Sequence, residues 1–73
     1  MKDYHINILY SNEDEGYIAD IPDLKFCSAF GETPDEALKN LLLAKKAWLE
    51  SAKKNNKPIP RPKYKPAIYR LTS

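Results

Sequence analysis

Apolar and polar side chains alternate along residues 4–10, with Tyr4, Ile6, Ile8 and Tyr10 on one side of the chain. A period of two, carried by aromatic and β-branched residues, predicts a strand. Ser11-Asn12-Glu13-Asp14-Glu15-Gly16 follows as a run of turn formers, ending in a glycine suited to positive φ. Residues 17–21 return as a second strand, so the segment reads as a hairpin. Pro22 ends that strand, because proline has no N–H to give to a ladder. After the short link Asp23-Leu24, residues 26–30 predict a third strand.

The period lengthens from Thr33 onward. Thr33-Pro34-Asp35-Glu36 is a capping box, with Thr33 as N-cap, proline at the first helical position and Glu36 reaching back to the cap. Leu38, Leu41, Leu42, Lys45, Trp48, Leu49 and Ala52 then follow helical spacing, and Ala37 and Ala44 widen the stripe. Lys53 and Lys54 suit the negative end of the dipole, and Asn55-Asn56 suits a left-handed stop. The spacing therefore predicts a helix over 34–54. Residues 57–66 carry proline at four of ten positions, which excludes a helix and favours an extended, polyproline-like segment. Residues 67–71 alternate well enough for a last strand. The order is βββαβ, an α+β domain of two layers in which one helix packs on a sheet. Its third strand would run parallel to the first, and a right-handed crossover would lay the last strand beside the first.

At 73 residues the chain makes one domain, 1–73, with a small core. A domain this size buries only about 60% of the surface its unfolded form exposes, so it needs reinforcement. The single cysteine, Cys27, forbids an internal disulfide, and the single histidine, His5, leaves no zinc set, so neither metal nor cofactor is expected. Association is the remedy left. Leu9 and Ile18 fall on the side opposite the expected core face, which adds to the case for a homodimer or a larger assembly. Apolar residues at 42% against 30% charged exclude disorder. The longest uncharged apolar run, residues 41–44, is far too short to span a bilayer, and no signal-peptide pattern opens the chain. A soluble cytoplasmic protein with no membrane partner is expected.

A net charge of +2 hides a strong polarity. Residues 1–36 carry two lysines against nine acids, a balance of −7, while 37–73 carry ten Lys and Arg against Glu50 alone, a balance of +9. That split suggests a basic partner on one face and an anionic one on another, or attraction between subunits.

Glu15-Gly16-Tyr17-Ile18-Ala19-Asp20-Ile21-Pro22-Asp23-Leu24 begins a longer pattern. It continues through residues 27–38, Cys27 to Leu38, and on to Ala47-Trp48-Leu49 and Pro58-Ile59-Pro60. In order and spacing it resembles the HicB-like antitoxin family, over residues 4–62. The resemblance implies a βββαβ fold likened to a truncated ribonuclease H domain, assembled as dimers or tetramers. It further implies a partner, a HicA-type toxin: a small basic ribonuclease whose active site the antitoxin covers. Many family members add a C-terminal DNA-binding domain. This chain is expected to be a short form without one, which removes the basis for expecting operator DNA to be bound. Lys25-Phe26 also replaces the usual Pro-Gly before the cysteine, so the turn there is expected to be shaped differently.

The residues expected to meet a toxin are the acids Glu13, Asp14 and Glu15 at the hairpin tip, with Asp20 and Asp23. Each has a plainer role available: solvated tip for the first three, turn cap for Asp23. The ribonuclease H likeness also raises Asp20, Asp23 and Glu36 as a magnesium site. Placed mid-strand, in a turn and in a cap, they are not expected to converge, and no catalysis is expected. The alternative to an antitoxin is a nucleic-acid-binding regulator that uses Lys57, Arg61, Lys63 and Lys65, with Tyr64 available for base stacking.

Overall fold

Two antiparallel ladders build the sheet of this computed structural model, which describes residues 3–65. Strand β1 (Asn7–Ser11) pairs with β2 (Gly16–Asp20), and β2 pairs with β3 (Ser28–Gly31), in the spatial order β1-β2-β3. Helix α1 (Pro34–Lys54) follows. The result is the expected α+β arrangement, three strands and then a helix. The expected last strand, 67–71, lies outside the described residues.

The register decides which side chains the helix covers. Ile8, Ala19 and Ala29 form one row across the sheet, and Tyr10, Tyr17 and Gly31 the next. These rows face α1, since Ala19, Tyr17 and Ala29 belong to the core with Ile21, Leu24, Cys27, Ala37 and Leu41. The helix lies mainly over β3 and β2 and reaches β1 least. Ile8 and Tyr10 therefore remain exposed although they sit on the core side. A Cβ on Gly31 would come within 2.7 Å of Ala37 Cα, so glycine lets α1 approach β3 closely.

Three sequence expectations change here. Gly16 does not take positive φ; Glu15 does, at 53°. Gly16 is needed for space instead, because a Cβ there would run into the Phe30 ring, which packs over it. The third strand starts at Ser28 rather than at 26, because Phe26 has φ 62° and leaves the extended region. Phe26 adopts a left-handed conformation that glycine takes without strain, at a cost of about 1–2 kcal/mol for a residue with a Cβ. Leu24 N–H donates to Ile21 C=O, Cys27 N–H to Leu24 C=O and Ile21 N–H to Cys27 C=O, each at 3.1 Å. This closed set of bonds over 21–27 over-determines the turn and inserts Leu24 into the core. Finally, Leu42 stands 47% exposed rather than on the buried stripe, because the covered face of α1 runs through Ala37, Leu41 and Ala52.

The helix begins and ends on sequence-local bonds. Glu36 N–H donates to Thr33 Oγ1 at 3.1 Å, while the Glu36 carboxylate accepts from Glu32 N–H at 3.0 Å, one residue before the cap it was expected to reach. At the other end Asn56 takes φ 53°, with Asn56 N–H donating to Lys53 C=O and Lys57 N–H to Ala52 C=O. That is a Schellman stop with asparagine at the left-handed position. Near the other end of the chain, the Lys45 ammonium lies 2.8 Å from Asp3. Its hydrogen bond, then that of Tyr4 N–H, holds the Asp3 carboxyl below its ordinary value.

Beyond the helix stop the proline segment folds back on the domain. Prolines leave it few N–H groups for a ladder, so side chains anchor it. Asp23 Oδ2 accepts the backbone N–H groups of Lys63 and Tyr64, both at 3.1 Å. The Tyr4 hydroxyl donates to Pro60 C=O, and the Tyr64 ring lies 4.7 Å from that of His5.

Candidate protein-binding surface

Alternation along the strands sends the remaining side chains to the face that α1 does not cover. Leu9, Ile18 and Phe30 are directly paired there across all three strands, with Leu9 52% and Phe30 41% exposed. One row further along lie Asn7, Asp20 and Ser28. The Asp20 Oδ1 atom is buried and meets no hydrogen-bond donor among the described residues. An acceptor removed from water without a donor is costly, and native structures hold few of them.

The five acids singled out in the sequence do not form one cluster. Glu13, Asp14 and Glu15 are exposed at the turn between β1 and β2. Asp14 is partly engaged, since Ser11 Oγ donates to its carboxylate at 2.9 Å. Asp20 lies at the far end of β2, on the order of 15 Å along the strand. Asp23 belongs to a different device, holding the proline segment to the body of the domain. Glu36 is committed to its backbone cap. Among the described residues no three His, Cys, Asp or Glu groups gather as a metal site. The Cys27 thiol is buried, and desolvation raises its pKa. His5 is half-buried, with Nε2 2.7 Å from Asn7 Oδ1.

The cations of the other candidate surface, Lys57, Arg61, Lys63 and Lys65, are all exposed along the docked segment. Tyr64 is not a bare stacking platform, because its ring already lies against His5.

Two further surfaces were not legible as sites. Asp35, Leu38, Lys39, Leu42 and Leu43 line a shallow hollow on the outer flank of α1, where Leu43 is 62% exposed. A groove of about 750 Å³ runs between the 23–27 turn, the second half of α1 and the proline segment. Trp48 lines it, fixed by an indole N–H that donates to Lys25 C=O at 2.9 Å. The one sequence signal pointing to this groove was the Lys-Phe pair standing where Pro-Gly is usual. Among the described residues no helix is long and apolar enough to cross a membrane.

Comparison with known proteins returned relatives of similar size. The UPF0150 protein ssl0259 of Synechocystis sp. is 40% identical over 53 residues, 73% of each chain. The UPF0150 protein Ta0767 of Thermoplasma acidophilum is 43% identical over 54 residues, 74% of this chain and 78% of its own. A second Synechocystis protein, UPF0150 protein ssr1765, is 36% identical over 59 residues, 80% of this chain and 75% of its own. No family model and no solved structure matches the chain.

Proposed function

The chain belongs to the UPF0150 family, and within that family we propose that it is a non-catalytic binding protein, a HicB-like antitoxin. In this reading it works in the cytoplasm and neutralises a small basic ribonuclease of the HicA type by covering its active site. The observation that carries the reading is the open sheet face. An apolar row, Leu9-Ile18-Phe30, lies between a buried carboxylate oxygen that meets no donor among the described residues and an acidic hairpin tip. Apolar contact supplies affinity, while the exposed acids steer a basic partner toward the face. A donor from the toxin would satisfy Asp20 Oδ1, which the described residues leave unserved.

Self-association needs a separate surface if the sheet face is given to the toxin. The hollow on α1 supplies one: Leu38, Leu42 and Leu43 are rimmed by one acid, Asp35, and one base, Lys39. Such a patch is self-complementary about a two-fold axis, each acid meeting the other copy's base. We assign the homodimer or homotetramer contact to it.

Titrating the chain into a HicA-type toxin during RNA cleavage tests the proposal. Cleavage should stop at a stoichiometric ratio, and Asp20→Asn should weaken inhibition about tenfold, the loss of a charge-assisted bond. Tight nucleic-acid binding with no toxin binding would overturn the antitoxin reading and favour a regulator that uses Lys57, Arg61, Lys63 and Lys65.

A further inference from the structure

The groove beside Phe26 has features that neither the fold nor toxin binding requires. Phe26 is 90% exposed, so its ring contributes little to the core, yet its backbone is held at φ 62°. Glycine would adopt that conformation freely, whereas a side chain makes it unfavourable. Non-glycine residues kept in such a state by a closed set of surrounding bonds concentrate at ligand-binding sites. The bonds over 21–27 and the Trp48 indole bond to Lys25 C=O hold the turn in place. The groove walls are apolar, built from Phe26, Trp48, Ala47, Ala52, Pro58 and Pro60.

Two lysines against one aspartate give its lining a net positive charge. Lys25 and Lys57 both line the groove and are exposed, with the Lys25 ammonium 5.5 Å from the centre of the Phe26 ring. The acid in the lining, Asp23, already accepts two backbone N–H groups through Oδ2. We propose that this groove is a second docking site, for an extended acidic peptide segment whose apolar side chain seats between Phe26 and Trp48 while its carboxylates meet Lys25 and Lys57. The site faces a partner of opposite charge to the basic toxin, so it goes beyond the antitoxin reading.

Trp48 is the sole tryptophan and therefore reports directly on occupancy. An acetylated Glu-Leu-Glu-Leu-Glu peptide should change its emission saturably, and the Lys-Leu-Lys-Leu-Lys counterpart should not. Phe26→Gly should weaken binding at least tenfold while raising the melting temperature, a combination that a structural role for the ring does not produce. Lys25→Glu with Lys57→Glu should weaken binding at least tenfold and reduce its salt dependence, with the chain's mass by light scattering unchanged. Equal binding of both peptides, or no saturable binding at millimolar peptide, would overturn the proposal. So would a Phe26→Gly variant that binds normally or melts lower. A fall in mass on charge reversal would show instead that a second copy fills the groove. Toxin inhibition by Phe26→Gly should equal that of the parent, so the two readings fail separately.

Discussion

Phe26→Gly isolates the energetic cost of one backbone angle. The ring is exposed, so its removal forfeits little packing, while left-handed strain of about 1–2 kcal/mol is relieved. Glycine's greater freedom in the unfolded chain takes back about 0.5–1 kcal/mol. The net expectation from those two terms is a gain of about 0.5–1 kcal/mol, read as a higher midpoint in denaturant. Gly16 works the other way: Gly16→Ala forces the Phe30 ring aside and should cost about 1–3 kcal/mol. Cys27 adds a response on the alkaline side. Its thiol pKa is raised by burial, so the stability it contributes is complete below the ordinary thiol range and is lost as pH rises through the folded value. Melting temperature should therefore fall at alkaline pH, and a Cys27→Ala variant should lose that part of the fall. A thiol reagent at neutral pH should react with native Cys27 far more slowly than with the unfolded chain.

Helix and arm separate what local sequence dictates from what tertiary contact decides. The span Pro34–Lys54 was legible because its cap, its period and its asparagine stop are all neighbours in sequence. Leu41 is fully buried beneath it, and Leu41→Ala should cost about 2–5 kcal/mol in chemical denaturation. Trp48→Ala should fall in the same range, because it removes both a packed ring and the bond to Lys25 C=O. The strand starts were harder to read, since Phe26 and Gly16 owe their conformations to a closed turn and to a ring from another strand. The docking of the proline segment was not legible at all: it rests on Asp23 meeting Lys63 and Tyr64, forty residues away in the chain. Aspartate in a turn ordinarily caps its own turn, so nothing nearby marks this one. Asp23→Ala should release the arm, visible as faster amide exchange at Lys63 and Tyr64 with the helix amides unchanged. At the candidate site the sequence marked Asp20 as an acid of interest, but its buried, unserved oxygen follows from strand pairing and is a property of the fold.

Taken whole, the molecule distributes its charge so that the two leading functions respond to different changes. Reversing Glu13, Asp14 and Glu15 to lysine should slow toxin association and weaken its salt dependence, with little effect on stability, because exposed charges act on encounter. Neutralising Lys57, Arg61, Lys63 and Lys65 should leave toxin inhibition intact. Were the chain a duplex-DNA binder, the same change would flatten the slope of log affinity against log salt by about 0.9 for each lost phosphate contact. Light scattering should return more than the 8.4 kDa of a monomer, and Leu43→Glu should restore that mass by placing a charge in the hollow on α1. In the proposed function the open sheet face covers a toxin. Its most direct measurement is calorimetric titration of the chain into a HicA-type toxin, comparing the parent with Leu9→Arg. Leu9 is half exposed at the β1 end of the apolar row, so the variant should fold normally while presenting a cation to a basic partner. The parent should bind tightly and stoichiometrically and the variant at least a hundredfold more weakly, and equal affinity of the two would overturn the toxin reading.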